Sequence, residues 1–210
     1  MTHAQLFRSY EFLVDRADRA FQKTGKEHEG FVRCERHCAE CCHAVFGLFI
    51  IEATHLKGHF DQLGSEERLA AFLRCTEADR VFEKIQEKLR AHKDDPQMQA
   101  YILARERIRC PLLDDNNDCI IYPYRPITCR VYGIPTKIQG KARVCGKAGF
   151  KAGESYPAFD LDGIFRDLFR LSKELLRSGG RQDLDNASLL ISVSRAIRTP
   201  GENLISESLG

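Results

Sequence analysis

Four of the nine cysteines of this chain fall in one short run, Cys34, Cys38, Cys41 and Cys42 in CERHCAECC, and four more follow singly at Cys110, Cys119, Cys129 and Cys145. Thiolates are soft ligands that select zinc, copper(I) and iron–sulfur clusters over hard cations. A loop can supply several such ligands at little ordering cost, while distant cysteines close the site and tie it to the fold. Cys38-x2-Cys41 has the spacing found in zinc knuckles and iron–sulfur loops. Adjacent residues seldom chelate one tetrahedral ion, so Cys41-Cys42 implies two neighbouring metal atoms, a polynuclear cluster, or one non-ligand of the pair. The ninth thiol, Cys75, lies inside a helical pattern and is expected in the core.

Iron–sulfur and zinc both suit these ligands. A proline follows Cys110, as it follows the last cysteine of bacterial ferredoxin runs, and no glycine follows the CxxC turn as in many zinc knuckles; the balance tilts toward iron–sulfur. Two zinc sites of four thiolates each would use all eight and is the alternative. Arg125 and Arg130 flank Cys129 and are expected to offset thiolate charge from just outside the ligands, Arg130 above all. His37 and His43 are possible substitutes for a cysteine, whereas His55 and His59, at i, i+4 without the glutamate of HExxH, are expected to be exposed helix residues. The Cys34-x3-Cys38-x2-Cys41 spacing also fits radical S-adenosylmethionine loops. Glu40 stands where those loops carry an aromatic, and the chain lacks repeated strand–helix units. No nucleophilic triad or phosphate loop is present; GKAGFKAG is expected only to turn the chain after Cys145.

The elements that must position these ligands are mainly helical. An apolar stripe of Leu6, Tyr10, Leu13, Val14, Ala17 and Phe21 predicts a helix over 5–23, and further helices are expected over 52–63, 65–92 (capped by Ser65), 96–109, 161–177 (capped by Asp160) and 187–197. Over 65–92 the apolar face changes midway, from Leu69, Phe72, Leu73 and Thr76 to Ala78, Phe82, Ile85 and Leu89, so the helix either breaks or packs two partners. Between Cys110 and Cys145 the reading is a loop-rich module with too few apolar residues to fold well unaided. It holds a short hairpin about DDNND, a helical turn after Pro126 carrying Cys129, and a second hairpin at Gln139-Gly140. GENLISESLG is expected to fray. The fold class is thus mainly α: helices around a loop-rich, cysteine-ligated metal-binding centre with one or two short β-hairpins. One domain is expected over 1–210, with its ligand core about 31–146 and the helices of about 160–198 packing on it.

With 32 basic and 30 acidic residues the net charge is +2, so neither nucleic acid nor a membrane surface is an expected partner. No apolar run reaches the roughly 18 residues of a membrane span, and the start lacks a signal-peptide core. The chain is therefore expected in the reducing cytoplasm, where nine cysteines favour metal ligation over disulfides.

Three signatures occur in order: the CxxxCxxCC loop, then Cys110-Pro111-Leu112-Leu113 with Cys119-Ile120-Ile121-Tyr122, then Arg125-Pro126-x-x-Cys129-Arg130. Together they resemble the CxxCxxCC family, described as zinc- or iron-chelating domains and related to the flagellin lysine N-methylases. The likeness spans Cys34 to Cys145, with one extra residue in its first interval. It implies a metal ion or cluster as ligand and leaves substrate and protein partner open. The expected function is metal binding with a structural or redox role; the alternatives are a protein lysine methyltransferase or a metal-delivery or sensor protein. Whether the chain is an enzyme stays open at this point.

Overall fold

The computed structural model describes residues 1–181, 184–188 and 190–206. Three helices make the frame. α1 (His3–Glu27) opens on a reciprocal cap in which Thr2 accepts from the Gln5 backbone and Gln5 accepts from the Thr2 backbone; it buries Leu6, Tyr10, Leu13 and Ala17. α2 (Ile50–Phe60) is buried on nearly every side, Ile50, Ile51, Ala53, Leu56 and Phe60 together with the polar Glu52 and Lys57, and so runs through the centre. α6 (Leu161–Ser178) starts where Asp160 accepts a hydrogen bond from Gly163 N and buries Leu161, Ile164, Leu168, Leu171, Leu175 and Leu176. The three pack against one another, and the Ser172 hydroxyl accepts from Ile51 N at 3.2 Å inside that contact.

α3 (Ser65–Ala91) does not break; it packs α7 (Val193–Arg198) and α4 (Pro96–Arg105). Arg198 fixes the first contact by donating to Asp79, Thr76 and the Phe72 carbonyl. The apolar face differs from the expected one. Leu69 and Leu73 are 61% and 69% exposed, and the buried line is Ala71, Cys75, Ala78 and Ile85. Gly64 takes the cap position assigned to Ser65, its N–H satisfied by the Glu67 carboxylate.

Other bounds moved for tertiary reasons. α2 begins and ends earlier than 52–63, and α4 stops at Arg105 because the next residues leave the helix to pair with residues 42–44. No hairpin forms about DDNND: a single bridge joins Leu113 to Cys119, and the Asp114 carboxylate accepts from Asn116 N and Asp118 N, closing an Asx loop. The Gln139-Gly140 hairpin does form, between β1 (Thr136–Ile138) and β2 (Lys141–Arg143), with both turn residues at positive φ (52° and 72°) as a type I′ turn requires. β3 (Phe159–Asp160) pairs parallel on the other edge of β1, giving the order β2-β1-β3.

Cys110–Cys145 is better supplied with core than its composition suggested. Leu112, Leu113, Ile121, Ile127, Val131 and Ile134 are buried, and α5 (Ile127–Val131) docks on α1. Near the C-terminus the expected single helix over 187–197 is instead a 3₁₀ turn (Asp185–Ser188), an antiparallel bridge between Ile191 and Leu48, and α7. Of the stretch expected to fray, α8 (Gly201–Ser206) is helical with Leu204 buried, and 207–210 lie outside the described residues. The described residues are thus mainly helical with one small sheet, and none of their helices is long and apolar enough to cross a membrane.

Candidate metal centre

Three stretches of irregular backbone and the short helix α5 carry the eight cysteines, and each is fastened to another part of the chain. Cys41–His43 form a 3₁₀ turn whose carbonyls accept from the extended stretch after α4: Cys110 N donates to Cys42 O at 2.7 Å and Ile108 N to His43 O at 3.1 Å. Arg109 donates to the carbonyls of Leu113 and Asp114 and to the Asp115 carboxylate, which pins the loop leading to Cys119. Cys129 rides on α5, whose first N–H, that of Ile127, donates to Glu52. The carboxylate of Glu40 accepts from Arg107 at 3.0 Å and Lys147 at 2.9 Å, bracing the segments that bear Cys41, Cys110 and Cys145. A hydrogen bond from Gly149 N to Phe31 O and a cluster of rings, His28 stacked on Phe31 and both edge-on to Phe150 and Tyr156, clasp the entry to Cys34 against the exit from Cys145. In the CERHC loop itself, His37 adopts φ 65°, uncommon for a residue with a Cβ, and the Cys38 N–H bonds back to Glu35 O.

All eight thiols line adjoining cavities. An inner one of about 80 Å³ is walled by Cys41, Cys42, Cys110, Cys119 and Cys129, with Phe46 and Phe82 opposite. A second, of about 30 Å³, is walled by Cys34, Cys38, Cys41, Cys129 and Cys145 beneath Tyr132. A wider mouth of about 420 Å³ opens above Cys38, Cys41, Cys42, Cys119 and Cys129 between Arg36, His37 and Asp118. The Cys41 and Cys42 sulfurs are 4.0 Å apart, and every cysteine is a free thiol. Cys75 lines none of these cavities and is fully buried on α3. Among the described residues no three His, Cys, Asp or Glu side chains stand in an arrangement that holds a metal ion as it is.

No family model, curated protein or solved structure matches this chain. The reading of the site therefore rests on its own residues.

The two arginines beside Cys129 have different roles. Arg130 is buried, and its guanidinium is consumed by the carbonyls of Arg125 and Pro123 and by Asp18 of α1 at 2.6 Å; it holds the backbone turn before α5. Arg125 borders all three cavities, lies over the Tyr122 ring at 4.0 Å, and has a buried Nε with no hydrogen-bond partner. Its charge helps lower the thiols of Cys41 and Cys119.

Cys41, Cys42, Cys119 and Cys129 shift one another. Hydrogen bonds from Cys129 and then Cys42 pull Cys41 far down, and one from Cys42 pulls Cys119 down. The donors rise in turn: Cys42 through its bonds to Cys119 and Cys41, and Cys129 through its bond to Cys41. Negative charge therefore settles first on Cys41 and Cys119. Burial pushes Cys110 up to about 12, and desolvation followed by the neighbouring Cys38 pushes Cys34 up to about 11.

His37 Nδ1 lies 2.9 Å from the Asn116 carbonyl and His43 Nδ1 2.9 Å from that of Ala39, so each imidazole has a backbone partner. His55 and His59 are not exposed as expected: His59 stacks on Tyr124 at 3.5 Å, His55 packs against Tyr10, and the Nδ1 of each is buried without a partner. Tyr132 lines the second cavity and Tyr122 the mouth, while Tyr124 faces the histidines.

Three residues that sequence reasoning passed over prove to matter. They are Glu40 as the brace, Glu52 beneath α5, and Gly133. A Cβ built on Gly133 would overlap the Cys34 sulfur, so only glycine leaves room for that thiol. The glycine in RVYGI was visible, but its partner was not.

Proposed function

We propose that this chain is a metal-binding protein whose cysteines 34, 38, 41, 42, 110, 119, 129 and 145 hold an iron–sulfur cluster or zinc in a structural or redox role. One observation carries it: four separate segments, three tied by backbone bonds and by Glu40 and the fourth, α5, held by Arg130 and Glu52, bring eight free thiols to the walls of adjoining cavities. Hydrophobic cores do not collect oxidisable thiols in this way.

The residues present suit such a group. The donors are soft, the guanidinium of Arg125, whose buried Nε has no hydrogen-bond partner, supplies positive charge that several thiolates around a cation would need, and Gly133 leaves a seat for Cys34. Bound iron–sulfur would supply one-electron transfer, and bound zinc a rigid cross-link between segments. Phe46 and Phe82 give the inner cavity an apolar wall, Tyr132 lines the second, and Arg130 fixes the turn that precedes Cys129. Likeness to the CxxCxxCC proteins, and a place in a reducing compartment, belong to the same proposal.

The test is metal and acid-labile sulfide analysis after oxygen-free purification. A brown protein with iron and sulfide gives the cluster form, and a colourless one with stoichiometric zinc gives the zinc form. A protein that holds neither, and takes up neither on reconstitution, refutes the reading.

A further inference from the structure

The eight thiols are not distributed evenly about one point. Cys42, Cys110 and Cys119 wall the inner cavity and not the second one; Cys34, Cys38 and Cys145 wall the second and not the inner one. Cys41 and Cys129 wall both, and the wider mouth is bordered by these two together with Cys42 and Cys119 of the first set and Cys38 of the second. The scaffold divides the same way. Cys42 and Cys110 are joined through their backbones, and the bridge to Leu113 holds Cys119 beside them. Cys34 and Cys145 are joined by the Phe31–Gly149 bond and its ring of aromatics. At that boundary the Cys41 sulfur lies 4.0 Å from the sulfur of its neighbour Cys42.

We infer that the centre is two metal loci: an inner one of Cys42, Cys110 and Cys119 and an outer one of Cys34, Cys38 and Cys145, each completed by one of the boundary thiols Cys41 and Cys129. The inference rests on the metal-binding reading and deepens it. It explains the vicinal pair. Neighbouring residues that cannot share one tetrahedral ion serve two ions instead, Cys42 facing the inner locus and Cys41 lying at the boundary. Three private thiols plus one boundary thiol give each locus the four-sulfur set that tetrahedral thiophilic divalent cations take. The chemical class of ligand is accordingly a soft divalent ion such as zinc, with cobalt(II) as its coloured probe.

Anaerobic cobalt(II) titration of the reduced full chain tests this, read by thiolate-to-metal charge-transfer absorption with circular dichroism as the check on folding. The wild type is expected to break at two equivalents. Cys110→Ser and Cys119→Ser should each lose one and keep one, and so should Cys145→Ser. Gly133→Ala should also lose one, by displacing the Cys34 thiol without removing any cysteine. Cys119→Ser combined with Cys145→Ser should lose both. A wild-type break at one equivalent, or loss of both equivalents in a folded single variant from either set, overturns the division and leaves metal binding standing. Absence of any cobalt–thiolate absorption in the wild type overturns the two loci and the zinc form with them, while failure of iron and sulfide reconstitution as well removes the metal reading itself; neither wild-type measurement requires a variant to fold.

Discussion

The helical frame and the cysteine-bearing segments are organised by different forces. In the frame, α1, α2 and α6 form regular hydrogen bonds along their own backbones and meet through wholly buried residues such as Leu6, Leu56, Phe60 and Leu175. In the cysteine segments the backbone is irregular, and polar anchors take the place of regular secondary structure: Glu40 to Arg107 and Lys147, Arg109 to the DDNND loop, Arg130 to Asp18, Glu52 to Ile127. Burial is non-directional and tolerates small shifts, whereas these anchors fix positions. The frame should therefore set stability and the anchors should set where the sulfurs lie.

The largest effect should come from Phe60→Ala, which removes a fully buried ring; it should cost about 3–5 kcal/mol in urea unfolding. That cost should be the same with and without a metal chelator, in contrast to Cys119→Ser, which should matter only when metal is present. Equal sensitivity of both variants to chelator would break the comparison.

Next is Glu52. Burial raises its carboxyl from 4.5 to about 7, against the opposing hydrogen bonds from Ile127 and Phe49. The folded state then binds the proton more tightly than the unfolded one, so this contribution is whole below about pH 4.5 and is lost as pH rises to about 7, on the order of 3 kcal/mol. Glu52→Gln should flatten stability across that window, and an unchanged slope would assign it elsewhere. His55 works in the opposite sense. Burial, then His59 and Arg130, lowers it to about 4, so its contribution is whole above pH 6.5 and fades as pH falls toward 4. His55→Phe should remove that acid-side loss.

Arg130→Met should cost about 2 kcal/mol, below the range for a fully buried pair because Asp18 keeps access to water. It should also loosen amide protection in residues 123–130 more than in α6, measured by hydrogen exchange. The smallest effect belongs to the frame: Asp160→Ala removes the cap of α6 and should cost about 1 kcal/mol by thermal unfolding, with no change at any sulfur.

How far each region could be read beforehand follows the same division. α1, α6 with its Asp160 cap, α5 after Pro126 and the hairpin at Gln139-Gly140 follow from periodicity and turn chemistry, which act between neighbours in the chain. The misread positions depend on distant partners. The stretch after Arg105 leaves the helix because residues 42–44 offer it hydrogen bonds, His55 and His59 are covered by Tyr10 and Tyr124, and Arg130 is claimed by Asp18. In the candidate site the identity of the ligands could be proposed from spacing alone. Which thiols adjoin which could not, because it follows from bonds between segments far apart in the chain; nor could the claim of Asp18 on Arg130, which leaves Arg125 as the arginine bordering the cavities.

Gly133 has an evolutionary consequence. One methyl group there would evict the Cys34 sulfur while leaving every thiol in the sequence, so a genome could silence part of the centre by a change that no inventory of cysteines would detect.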